Sequence, residues 1–105
     1  MSITVSERDD GVVITMPARF DNHSHREFRA VHAGLRGRET PVVVDFGRTE
    51  YMDSSALGML LCLRQDVGGE SAQVTLRNCG DTVAKILGIA NFQKLFTIEA
   101  ADVEA

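Results

Sequence analysis

Residues 42–58 read Val-Val-Val-Asp-Phe-Gly-Arg-Thr-Glu-Tyr-Met-Asp-Ser-Ser-Ala-Leu-Gly. Pro41 opens an unbroken β-branched run, Val42-Val43-Val44, which predicts a central strand buried on both faces. Arg48–Met52 is too polar and irregular to continue it and reads as a loop. Asp53, Ser54 and Ser55 then offer capping oxygens to a helix over Ala56–Val67, a stretch too long and too rich in Leu and Met for a strand. The segment therefore places a hydroxyl at a helix N-terminus, where free N–H groups point outward and the dipole is positive. A phosphate attached there would be stabilised by the same groups. The plain alternative is an ordinary N-cap contributing about 1 kcal/mol.

On either side of this segment, turn residues divide the chain. Ile3–Ser6 and Val12–Met16 are predicted to form a hairpin with Asp10-Gly11 as the turn. Pro17 stops the second strand. Asp21 or Asn22 can cap a helix over His23–Leu35, with Phe28, Val31 and Leu35 on one face and Gly34 and Gly37 fraying its end. On the C-terminal side, Gly68-Gly69 ends the Ala56–Val67 helix and Gln73–Arg77 alternates as a strand. Asp81–Leu87 is predicted as a short helix stopped by Gly88, Asn91–Phe96 as a helical turn, and Thr97–Glu99 as a last strand. The order of elements is that of an α/β fold with helices packed on a mixed sheet.

Hydrophobic residues make up 44% of the 105 positions, enough for one domain with a real core. The net charge of −4 and the lack of a Lys/Arg cluster disfavour nucleic acid and anionic membranes as partners. The N-terminal residues carry no apolar run behind a basic start, which predicts neither a leader nor a membrane span and makes the cytoplasm the expected location. Cys62 and Cys79 match no metal or redox spacing and read as buried or partly buried free thiols. His23, His25 and His32 have no carboxylate or thiol at ligand spacing, so no metal is expected; they read as solvated or partner-facing. A hydrolase built on Ser55 would need a nucleophile elbow, and Gly-x-Ser-x-Gly is absent.

The 42–58 segment resembles the signature of the STAS family, the domain of sulfate transporters and anti-sigma factor antagonists. In the bacterial antagonists a strand and loop lead into Asp-Ser-Ser/Thr-Gly-Leu-Gly; the match here is Asp53-Ser54-Ser55-Ala56-Leu57-Gly58. Arg19-Phe20-Asp21 is similar to the stretch before the family's first helix, and residues 83–96 to its C-terminal signature. Ala56 and Ala18 depart from the family's usual glycines. The resemblance implies a single STAS domain over residues 1–105, with a mixed four- to five-stranded sheet and helices mainly on one face. It implies phosphorylation on Ser55, supported by Asp53, Ser54 and Asp21, in a protein that is not an enzyme and needs no cofactor. The implied partners are an anti-sigma factor/serine kinase of the GHKL type and a serine phosphatase of the PPM type, response-regulator-linked in the Gram-negative antagonists this form is similar to. A non-catalytic scaffold subunit of a sensory or transport complex is the alternative.

Helix periodicity adds a docking surface. At about 100° per residue, Ala56, Leu60, Leu63 and Val67 form the stripe facing the sheet. Gly58, Leu61, Cys62 and Gln65 then face away, and Leu61 and Cys62 are unusual on a solvent-facing stripe. Gly58, Leu61 and Cys62 are therefore expected in the partner interface beside Ser55.

Overall fold

A computed structural model describes residues 3–101; the predicted domain span of 1–105 extends past these at both ends. Five strands form the main sheet: β1 (Thr4–Arg8), β2 (Gly11–Thr15), β4 (Val42–Asp45), β6 (Val74–Cys79) and β7 (Thr97–Ala100), in the order β1-β2-β4-β6-β7. The β1–β2 pair is antiparallel and the other pairs are parallel. Two short strands, β3 (Arg19–Phe20) and β5 (Tyr51–Met52), pair in parallel as a separate ribbon. Three helices complete the fold: α1 (His25–Ala33), α2 (Ser54–Asp66) and α3 (Asp81–Ile89).

Val12, Ile14, Val42, Val44, Val74 and Leu76 are buried, whereas their neighbours Val13, Val43 and Thr75 are only half-buried. A strand's side chains alternate between faces. One face of the sheet therefore carries the helices, as expected, and the other is open. Val43 thus corrects the reading of a strand buried on both faces: an unbroken valine run cannot distinguish two covered faces from one.

Other boundaries shift for local reasons. The hairpin turn is Asp9-Asp10, since Arg8 pairs with Gly11. Gly11 is instead needed at the start of β2, where its φ is +152° and a Cβ would lie 2.5 Å from the Pro41 carbonyl oxygen. The helix predicted over His23–Leu35 begins as a 3-10 turn at Asn22–Ser24 and ends at Ala33. Gly88 lies inside α3; the left-handed residue beyond its end is Asn91 (φ +60°).

Phe20, Phe28 and Phe46 are fully buried, with ring centroids 5.3 Å (Phe20–Phe28) and 6.1 Å (Phe20–Phe46) apart. On α2, the predicted inward stripe of Ala56, Leu60, Leu63 and Val67 is buried, and Met59 joins it.

His32 corrects the view of all three histidines as solvated or partner-facing. It is buried, and its Nδ1 lies 2.6 Å from Asp66 Oδ2, a contact between residues 34 apart in the chain. Arg36 Nε donates to Asp66 Oδ1 at 3.3 Å. Burial pushes the Asp66 carboxyl up, but the bonds from His32 and Arg36 outweigh it and hold it below its ordinary value of 3.8. A lowered folded-state pKa means this stabilisation is fully present above the unfolded pKa and is lost as pH falls through the folded one. Asp66→Asn is expected to cost about 1.5–3 kcal/mol at neutral pH. Its difference from wild type should shrink below about pH 4 in urea titrations. A difference independent of pH would assign the loss to packing.

Candidate functional site

The strands β3 and β5 end side by side, with Phe20 opposite Met52. The next residue on each is an aspartate in extended conformation, and each aspartate caps the helical turn directly after it. Asp21 Oδ1 accepts from the His23 N–H at 3.0 Å and so caps the 3-10 turn before α1. Asp53 Oδ1 accepts from the N–H groups of Ser55 (3.1 Å) and Ala56 (3.2 Å) and caps α2. Parallel strands thus launch two helices in the same direction. Their far ends are tied by the His32–Asp66 bond.

Ser55 is partly exposed in the first turn of α2, and its Oγ donates to Asp53 Oδ1 at 2.6 Å. One carboxylate oxygen therefore holds both the helix N-terminus and the hydroxyl. Ser54 does not cap, contrary to one expected role. It is the first helical residue and exposed, because the longer-reaching Asp53 already occupies the cap position. Asp21 is buried and bonded to His23, with Arg19 Nε 3.4 Å from its Oδ2. The backbone N–H of His23 is the main cause of its lowered pKa, with burial opposing and His23 and Arg19 helping. The structure brings Asp53 into contact with Ser55 and leaves Asp21 on the neighbouring strand end, engaged with its own turn.

Ser55 opens into a groove of about 600 Å³ between α1 and α2. On the α2 side it is lined by Gly58, Met59 and Cys62; on the α1 side by His25, Arg29, His32 and Arg36. Gly58 and Cys62 therefore share a surface with Ser55. Leu61 is 41% exposed on α2, outside the groove lining. The exposure of Cys62 corrects its reading as a buried or partly buried thiol. Cys79 is buried; burial, with Glu99 and Asp45 nearby, pushes its thiol up to about 11 and leaves it inert.

Two features escaped the sequence reading. Arg19 stacks 4.4 Å over the half-exposed Tyr51 ring beside the two capping aspartates, a contact that exists only because β3 and β5 pair. The basic wall of the groove also went unread, although residues 25, 29, 32 and 36, on α1 and just past its end, repeat at helical spacing and are all His or Arg. Among the described residues, no helix is long and apolar enough to cross a membrane.

A five-stranded sheet with helices on one face and an acid-capped serine helix is the architecture of a STAS domain. The family model described as "Mlab, STAS domain" matches residues 3–98, so the chain belongs to the STAS-domain family. It is 45% identical over 100 residues to a STAS-domain-containing protein of Pseudomonas aeruginosa strain UCBPP-PA14, a match covering 93% of this chain and 99% of that one. Among solved structures, it resembles an anti-sigma-factor antagonist (STAS) domain protein from Planctomyces limnophilus: TM-score 0.81, 16% identity, 95% of this chain and 91% of that one. It also resembles the anti-sigma factor antagonist SpoIIAA in its unphosphorylated form: TM-score 0.78, 22% identity, 92% of this chain and 87% of that one. The phosphorylated form of SpoIIAA, a Bacillus cell fate determinant, matches with TM-score 0.71 and 19% identity over 92% of this chain and 90% of that one. At these identities the solved structures speak for the fold.

Proposed function

We propose that this chain is a cytoplasmic anti-sigma factor antagonist in a partner-switching pathway and catalyses nothing itself. Unphosphorylated, it binds an anti-sigma factor/serine kinase of the GHKL type and frees a sigma factor or another target. The kinase transfers the γ-phosphoryl group of ATP to Ser55 Oγ: an O–P bond forms, the bond to ADP breaks, and the hydroxyl proton leaves to solvent. The complex then falls apart, and a PPM-type serine phosphatase hydrolyses the phosphate to reset the cycle.

The observation that carries this reading is Ser55 itself. It is a partly exposed hydroxyl in the first turn of a helix, one turn from the exposed Gly58–Leu61–Cys62 stripe. A partner touching that stripe cannot avoid a phosphate on Ser55. The bond from Ser55 Oγ to the capping Asp53 also fits a second reading, in which Ser55 only steadies the start of α2 and the chain is a non-catalytic scaffold subunit of a sensory or transport complex.

The two separate on incubation with a purified kinase of this class and ATP. The switch predicts one added phosphate, mapped by fragmentation to Ser55 and not Ser54, and none on Ser55→Ala. No mass gain, or phosphate on Ser54 alone, would sink it. In the same system Leu61→Glu should fold normally yet bind the kinase at least about tenfold more weakly, equivalent to about 1.4 kcal/mol.

A further inference from the structure

The bond from Ser55 Oγ to Asp53 constrains where a phosphate can go. Phosphorylation removes the proton that now points at Asp53 Oδ1, 2.6 Å away. Asp53 cannot retreat, because the same oxygen accepts the N–H groups of Ser55 and Ala56. A phosphate carrying about −1.5 to −2 charge must therefore turn away from it. The groove between α1 and α2 opens from Ser55, and His25, Arg29, His32 and Arg36 line its other wall. His32 and Arg36 are already bonded to Asp66 at the far end. The helices run in the same direction, so of the four basic residues on that wall His25, in the first turn of α1, and Arg29, one turn further on, are the two nearer the Ser55 end of the groove. Both are exposed, and neither has a carboxylate partner among the described residues.

We infer that phosphoserine 55 is held in cis by Arg29, assisted by His25, across the mouth of the α1–α2 groove. The mark then acts in two ways. It adds charge to the docking face, and it closes the groove beside Gly58 and Cys62 by bridging its walls. Arg29 suits the task, since a guanidinium binds phosphate oxygens in a bidentate fork. Being exposed, it stays available to phosphate without a preformed ion pair having to break. Phosphorylation of Ser55 is the premise, taken from the function proposed above.

The test installs phosphoserine at position 55 during translation of the full chain, so no kinase is involved. Phosphorus NMR then tracks its second ionisation, ordinarily near about 6. A cation at the phosphate favours the dianion and lowers this pKa, while Asp53 acts in the opposite direction in every variant. Wild type is expected to titrate at least about half a unit below Arg29→Gln, with Arg29→Lys in between. Added salt of about 0.5 M should narrow the gap. Unphosphorylated Arg29→Gln should give the wild-type amide spectrum away from α1. Identical titration of wild type, Arg29→Gln and Arg29→Lys would overturn the clamp. The clamp and the kinase reading fail separately: the first is judged on phosphoserine placed by translation, the second on phosphate added by the kinase.

Discussion

Phe20→Ala is expected to destabilise the protein by about 3–5 kcal/mol, the range for emptying a large aromatic site in a packed core. That is a large share of the roughly 5–15 kcal/mol that holds a domain together. The melting temperature should fall by at least about 10 °C. Phe20 is fully buried although it belongs to a two-residue strand, and its ring packs against both Phe28 of α1 and Phe46 after β4. No single neighbour can close the cavity, because Phe28 is fixed by its helix and Phe46 by the end of a central strand. The loss should reach the site as well, since Phe20 directly precedes Asp21 and pairs with Met52, which directly precedes Asp53. Urea denaturation measures the cost; a loss below about 1.5 kcal/mol would mean that the ribbon repacks freely.

The second large effect concerns affinity. In the switch proposed above, stoichiometric phosphorylation of Ser55 is expected to weaken binding to the proposed anti-sigma factor/kinase by at least about a hundredfold, or about 2.7 kcal/mol. Two like charges about 4 Å apart repel by about 4 kcal/mol at the effective dielectric of a protein surface. Asp53 already stands within hydrogen-bond reach of Ser55 Oγ, pinned by two backbone N–H groups. That repulsion exists in the free protein as well; docking is penalised because it strips water from both charges and strengthens the repulsion between them. Titration calorimetry with unphosphorylated and phosphorylated protein measures the ratio, and Ser55→Ala should bind like the unphosphorylated form. A ratio below about threefold would show that the partner docks elsewhere.

Much of this site could be read directly from residues 42–58. A β-branched run, a capping aspartate and a Leu/Met helix are local signals, each decided within a turn or two of chain. They sufficed to narrow the cap to Asp53, Ser54 or Ser55 and to orient α2, whose buried and exposed stripes come from helical geometry alone. The cap before α1 was narrowed in the same way to Asp21 or Asn22, and the structure places it at Asp21.

The features that could not be read there involve residues far apart in the chain. Residues 48–52 read as a loop because two paired residues, Tyr51 and Met52, are too few to show a period; their strand exists only through β3, 32 residues earlier in register. His32 read as a surface histidine because its position on α1 is amphipathic either way. Its burial depends on Asp66, at the end of another helix. The groove beside Ser55 has the same origin. Local chain chemistry narrowed the cap to residues 53–55 and carried the basic repeat at 25, 29, 32 and 36, while the resemblance to the STAS signature singled out Ser55. Only the parallel docking of two helices, launched from adjacent strand ends, put that basic repeat opposite the serine, because side-chain charges act across a groove only once the backbone has closed the distance between them.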